Sequence, residues 1–298
     1  MDRMKIRRVV SVCAIQDVNV WRIAAPRVLK CIDSDEYILI CPDDQISDFI
    51  SVTPAGWKIV GESSFDSSFN FKRIGELVTG ENKSRVGWLF QQFLKINAII
   101  DNQLKDDDLV LIWDADTVPL RKLKFTDSKT GAIEYYYFDT QNRGTVNHQP
   151  YFTTIKKLLG LEKRFKASFI AQCFPTKVGW AREAVGAIVN SSNKSYIEII
   201  LKNIPGVSGA EFSEYETMGT WNYAKHYDSI SFKRRNNWSR NGARLLGSKL
   251  DGYFTDFFLW IFSINYDFVS FEKWQRKASP IHLFTFLKLC IKMLSGKL

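Results

Sequence analysis

Five consecutive apolar residues, Leu109-Val110-Leu111-Ile112-Trp113, run directly into Asp114-Ala115-Asp116-Thr117-Val118-Pro119. A run this short, rich in bulky side chains and stopped by acidic residues and proline, fits a strand buried on both faces. The first third of the chain repeats the pattern. Val9–Ile15, Tyr37–Cys41 and Trp57–Val60 read as strands, and Val20–Ile32 and Arg85–Ile100 read as helices between them. Apolar strands alternating with helices predict an α/β fold: a Rossmann-type mixed, mostly parallel sheet with helices on both faces. In such sheets ligands bind beyond the carboxyl ends of the strands.

The middle of the chain reads as α+β, with a strand over Ala132–Phe138 and helices over Phe152–Leu159, Glu183–Asn190 and Ser195–Asn203, followed by the segment Glu211–Tyr223. At 298 residues, 45% hydrophobic and 24% charged, the chain has ordinary globular composition, which excludes a disordered or low-complexity class. Five cysteines without a C-x-x-C pair point to a reducing compartment, hence a cytoplasmic location. No stretch approaches the roughly 18 apolar residues of a membrane-spanning helix.

The chemistry centres on Asp114 and Asp116. Carboxylates two apart at a strand end project to the same side and repel. A divalent cation, Mn²⁺ or Mg²⁺, removes that conflict while keeping positions open for substrate phosphates. The plainer alternative is a capped turn. No G-x-G-x-x-G or G-x-x-x-x-G-K-[ST] motif occurs, so dinucleotide binding and P-loop phosphoryl transfer are disfavoured. Nor is there a His/Cys cluster with zinc spacing.

Three segments together carry a family resemblance: Arg85-Val86-Gly87-Trp88-Leu89-Phe90-Gln91-Gln92-Phe93-Leu94-Lys95, the Trp113-Asp114-Ala115-Asp116-Thr117 strand end, and Phe212-Ser213-Glu214-Tyr215-Glu216. With them the chain resembles GT-A-type nucleotide-sugar glycosyltransferases, and in particular a bacterial W-D-A-D-T family of formerly unknown function, over roughly Val9 to Gly247. The resemblance implies that Asp114 and Asp116 hold the metal of a UDP-sugar donor. It implies that the loop Ala14-Ile15-Gln16-Asp17 meets the uracil and ribose, with Asp17 as helix cap the plainer alternative. Arg85, Gln92 and Lys95 are expected to reach the diphosphate or sugar, against a solvated helix face.

An inverting transferase needs a carboxylate to take the acceptor proton, and Glu214 or Glu216 is the expected base. His148, in a loop with aromatic neighbours, is a candidate sugar contact, and His226 a possible third metal ligand. The basic stretch Lys233–Arg240, through Arg235 and Arg240, is expected to close over the leaving diphosphate, against a lipid-headgroup site or a solvated loop.

The net charge is +9, and from Thr217 onward 13 basic residues face 5 acidic ones. The C-terminal stretch adds an apolar helix, Ile281–Leu294, with Lys288 and Lys292 in its polar sector. That is the pattern of a helix lying in a membrane interface, with docking onto the body or a dimer contact the plainer alternative. The expected organisation is a transferase domain over residues 1–250 and a basic, membrane-associating extension over 251–298. The expected activity is metal-dependent transfer of a galactose- or glucose-type hexose from a UDP-sugar to a bacterial surface glycan such as lipopolysaccharide, O-antigen or capsule. The acceptor would be lipid-linked, at the inner face of the membrane, with inversion favoured. A nucleotidyltransferase, or a non-catalytic membrane-associated protein that binds nucleotide sugars, is the alternative. Nucleic acid is not an expected partner, since the basic charge coincides with an apolar tail.

Overall fold

The computed structural model describes residues 4–65, 69–139, 148–207, 211–243 and 252–272, with single positions 288, 291 and 295. The chain begins β1 (Ile6–Val12), α1 (Val18–Cys31), β2 (Ser34–Cys41), α2 (Ile46–Ile50), β3 (Lys58–Gly61), α3 (Phe71–Leu77), α4 (Val86–Ile99) and β4 (Leu109–Trp113). It continues through β5 (Thr117–Pro119), β6 (Ile133–Tyr135), α5 (Gln149–Leu159), β7 (Cys173–Lys177), α6 (Val178–Val189), α7 (Tyr196–Asn203), α8 (Glu214–Lys225), β8 (Ile230–Phe232), β9 (Trp238–Ser239), α9 (Gly252–Asn265) and β10 (Phe268–Ser270).

The main sheet has the order β3-β2-β1-β4-β7. β1 pairs in parallel with β2 and β4, and β2 with β3, while β7 runs antiparallel to β4 at the edge. The sheet is therefore mixed and mostly parallel, as expected. The chain steps outward from β1 to β3, then returns across the sheet to place β4 on the other side of β1. Because such crossovers are right-handed, that reversal puts α1 and α4 on opposite faces and opens a crevice between the carboxyl ends of β1 and β4. The Ser11 hydroxyl bonds the Trp113 carbonyl (2.7 Å) across this junction.

The centre of the sheet is dry. Val9, Val10, Leu39, Ile40 and all of β4 are buried against Trp21, Leu89, Phe93 and Ile96. Arg8 is the buried exception, and it is neutralised by Glu36 and Asp101, each at 2.7 Å. α4 differs from the amphipathic helix expected: Gln92 and Lys95 are buried along with its apolar residues. The strand expected over Ala132–Phe138 is confined to β6, which pairs in parallel with β8. β7 escapes sequence reading because Pro175 interrupts it; at a sheet edge the missing N–H costs little.

A second apolar cluster joins α1, β5, α9 and β10 through Val20, Ala24, Val118, Leu259, Phe262 and Val269. β10 pairs with β5 antiparallel and with β9 in parallel. Residues 252–272, placed by the sequence in the extension, are thus packed into the body of the fold. The helix expected over Ile281–Leu294 lies outside the described residues except at positions 288 and 291. Among the described residues no helix is long and apolar enough to cross a membrane.

Candidate functional site

Asp114 leaves β4 as the first residue of a tight turn. The Thr117 amide bonds the Asp114 carbonyl (3.0 Å) and the buried Trp113 indole bonds the Thr117 carbonyl (2.8 Å). A turn and a paired-carboxylate site are therefore the same segment here. The flanking backbone pins it from two sides, since the Asp114 amide bonds the Gln172 carbonyl (2.9 Å) and the Phe271 amide bonds the Asp116 carbonyl (2.8 Å). Gln172 achieves this with φ +64°, left-handed backbone that a side chain other than glycine or asparagine rarely adopts.

Behind the turn sits a buried charge cluster. The Lys95 ammonium bonds Asp114 Oδ1 (2.7 Å) and Glu214 Oε1 (2.8 Å), and the Tyr215 hydroxyl donates to the same Asp114 oxygen (2.6 Å). α4 supplies Lys95 and the first turn of α8 supplies Glu214 and Tyr215. Gln92 joins the two helices: its Oε1 accepts the Glu214 amide (2.9 Å) and its Nε2 donates to the Trp88 carbonyl (3.1 Å). Burial works against the Lys95 charge, but Asp114 and Glu214 outweigh it and hold the ammonium above its usual range. Burial pushes the Glu214 carboxyl up, with Lys95 pulling against it. Tyr215 rises for the same reason, burial first and the Asp114 charge next.

Glu216 lies two residues on and faces elsewhere. Its Oε1 accepts the Ser168 hydroxyl (2.5 Å) and the Phe169 amide (3.1 Å), and its Oε2 takes the Lys163 ammonium (2.5 Å). It is wholly buried. Glu216, the other expected base, stands as a buried counter-ion that anchors the residues around 168 to α8.

The other expected residues fall into two groups. His148 is buried beside this cluster, 3.8 Å from Glu216 Oε1 and ring-to-ring with Tyr151 at 5.5 Å. Burial lowers its pKa, with Glu216 opposing and the charges of Lys163 and Arg240 assisting. Arg240 bonds Glu272 (3.0 Å), which also takes the Gln172 side-chain amide (3.1 Å), so it is linked to the Asp114 turn through Gln172. Arg85 stacks over Trp88, its guanidinium 4.0 Å from the ring centroid.

Ala14 and Gln16 flank and enter a short 3₁₀ turn, Ile15–Asp17, that leaves β1 beside β4, with Gln16 exposed. Asp17 stands at the α1 N-cap, yet its side chain makes no cap hydrogen bond.

Two expected contacts point away. Arg235 bonds the Asn265 carbonyl at the end of α9 (3.3 Å). His226 closes the far end of α8, about 18 Å along the helix from Glu214. There it stacks on Trp180 at 4.4 Å and bonds Glu183 (2.7 Å), at the end of α8 opposite Glu214.

Tyr215, Gln172, Lys163 and Glu272 were not foreseen. Tyr215 had a signal, an aromatic between two flagged glutamates; the other three act through partners 50 or more residues away.

Among the described residues no three His, Cys, Asp or Glu side chains gather to hold a metal ion. Asp114 Oδ1 already has an ammonium and a phenol. Asp116 is half-buried at the crevice and its Oδ1 accepts the Thr117 hydroxyl at 3.3 Å. That donor set does not make a closed protein cage. It fits a hard cation held by Asp116 and completed by water and substrate phosphate oxygens.

A scan against protein-family models finds no match, and a comparison with curated proteins finds none. Among solved structures, this chain is similar to the apo-form glycosyltransferase GlyE of Streptococcus pneumoniae TIGR4. The alignment has a TM-score of 0.42 and 12% identity, and covers 98% of this chain. It covers 62% of GlyE, so this chain spans less than two thirds of that protein's length.

Proposed function

We propose that the protein is a glycosyltransferase of GT-A type that takes a hexose from a UDP-sugar and passes it to a hydroxyl of a surface glycan. One observation carries the reading: a D-x-D turn stands at the switch point of a mostly parallel sheet, pinned by β7 and β10 and backed by a buried cation. The W-D-A-D-T resemblance supports it, since Lys95, Asp114, Glu214 and Tyr215, drawn from all three of its segments, converge in one cluster.

Asp116 would hold the divalent cation, which supplies charge neutralisation to the departing diphosphate. Asp114 is held by Lys95 and Tyr215 in one orientation at the strand end, where it faces the donor's ribose or sugar. The β1 loop, Ala14 to Asp17, lies across the crevice for the nucleoside. Glu214 is the remaining carboxylate able to take the acceptor proton. Burial raises its proton affinity toward the range a general base needs, and Lys95 steadies the ionised form before transfer. Arg240 adds positive charge beside Gln172 and His148 as charge develops on the leaving group.

The test is a panel of nucleotide sugars assayed for donor hydrolysis, with UDP binding followed by calorimetry in the presence and absence of Mn²⁺. Metal-dependent UDP binding that Asp116→Asn abolishes, without change in the thermal midpoint, supports the reading. Undiminished turnover in excess chelator, or release of pyrophosphate in place of UDP, overturns it.

A further inference from the structure

α9 is apolar on two sides. Leu259, Ile261 and Phe262 face inward onto α1 and β5, and Phe258 is buried too. Phe257, Trp260 and Ile264, at helical spacing i, i+3 and i+7, face outward and are 51%, 62% and 43% exposed. The Phe257 and Trp260 rings lie 6.0 Å apart, so the two aromatics form one continuous ridge along the helix. Single exposed apolar side chains are ordinary, but a row of three including Trp and Phe on one helix is not.

Arginines rim this ridge. Arg27 of α1 pairs with Asp256 (3.1 Å), Arg121 bonds the Ser263 carbonyl and lies 3.4 Å from Asp267, and Arg235 bonds the Asn265 carbonyl (3.3 Å). All three therefore sit against α9, and Arg235 is exposed. Asp256 and Asp267 are the carboxylates in this rim.

We propose that this face of α9 is a docking surface for an anionic lipid bilayer. Trp and Phe suit the headgroup level, where the ring is shed from water while its edge stays near polar groups. Arg235, the exposed arginine beside them, suits bidentate contact with lipid phosphate. The chain's own C-terminus is the other apolar segment available to cover the ridge, and its charge opposes that. Residues 273–298 carry six basic and no acidic residues, so docking there would set cations against Arg27, Arg121 and Arg235. Ile291 in that stretch is itself 65% exposed. The ridge and the basic, apolar sequence of residues 273–298 instead share one complementary partner, an anionic membrane. The inference stands apart from the transferase reading, because binding is measured with no sugar nucleotide present.

The test is co-sedimentation of the full chain with vesicles of phosphatidylcholine containing 30% phosphatidylglycerol, and with pure phosphatidylcholine as reference. The variant is Phe257→Ser with Trp260→Ser, and circular dichroism and the thermal midpoint check its fold. Losing two half-exposed aromatics from the interface lowers the partition coefficient by at least about tenfold. Wild-type binding also weakens as salt rises. Two results overturn the proposal. One is equal binding of variant and wild type, which would assign any binding to the C-terminal residues alone. The other is a wild-type dimer in sedimentation equilibrium that the variant abolishes, which would make the ridge a contact between copies. If the variant fails to fold, Trp260→Gln alone with Arg235→Glu reads the same loss from fully surface positions.

Discussion

Lys95 and Asp114 meet at 2.7 Å from opposite sides of a helix-to-strand connection, and the same ammonium reaches Glu214, 119 residues further along the chain, at 2.8 Å. One buried cation thus holds two buried or half-buried anions from different elements. The strand-end pair is not a bare acidic motif awaiting a metal: half of its charge is already answered from within.

Lys95→Met tests how much the fold depends on that answer. Removing one partner of a buried ion pair leaves the others uncompensated and costs about 3–5 kcal/mol. Urea unfolding should show a loss of that size. In the double variant Lys95→Met with Glu214→Gln the loss should be smaller than the sum of the single ones, since the residues share one interaction.

Glu216→Gln should behave as a stability variant and not as a lesion of the chemistry. It strands Lys163, whose charge burial already disfavours and Glu216 supports. The midpoint should fall, and adding Lys163→Met should recover part of it. A soluble Glu216→Gln protein with an unchanged midpoint and no activity would restore Glu216 to the reaction.

Glu62 follows β3 and sits close to Asp43 and Asp44. Burial, then the charges of those two aspartates, push its carboxyl up to about 7. An acid whose pKa is raised by folding holds its proton longer in the folded state than in the unfolded one. Its contribution to stability is therefore present at low pH and is lost as pH rises from about 4.5 through 7. Glu62→Gln should flatten that part of the stability profile, which thermal midpoints between pH 5 and 8 will reveal. A pH dependence identical to wild type would refute the assignment.

Gly219→Ala should destabilise despite alanine's better helix propensity. A Cβ at Gly219 would lie 2.3 Å from the Phe169 ring, and the Phe169 amide also bonds Glu216. Overpacking of this kind costs about 1–3 kcal/mol against roughly 1 kcal/mol of propensity gained. Differential scanning calorimetry should record a lower midpoint.

The sheet was largely legible because its strands advertise themselves. β4 matches its five apolar residues one for one, whereas β1 runs Ile6–Val12 in place of the expected Val9–Ile15 and β2 starts at Ser34, ahead of the expected Tyr37. β7, β9 and β10 were not legible: one contains a proline, and the other two are short strands that pair with each other, β10 also with β5, only through tertiary placement. The site was legible in its residue types and not in its orientations. Lys95, Gln92, Asp114 and Glu214 do gather, yet periodicity placed Lys95 beside a polar helix face, whereas a buried carboxylate pair draws it inward. Glu214 and Glu216 were indistinguishable by spacing. On a helix start, two positions apart means nearly opposite faces, and only the packing of Ser168 and Phe169 decides which one is sealed.

The left-handed Gln172 has one further consequence. Its carbonyl is the acceptor for the Asp114 amide and its side chain grips Glu272, so a single twisted peptide registers the strand end against the last strand pair. Any relaxation of that twist would shift Asp114, through its amide, against the Phe271–Glu272 segment that holds the Asp116 carbonyl. The residue thereby acts as the set-screw of the turn, and replacing it with glycine would loosen the instrument without touching either aspartate.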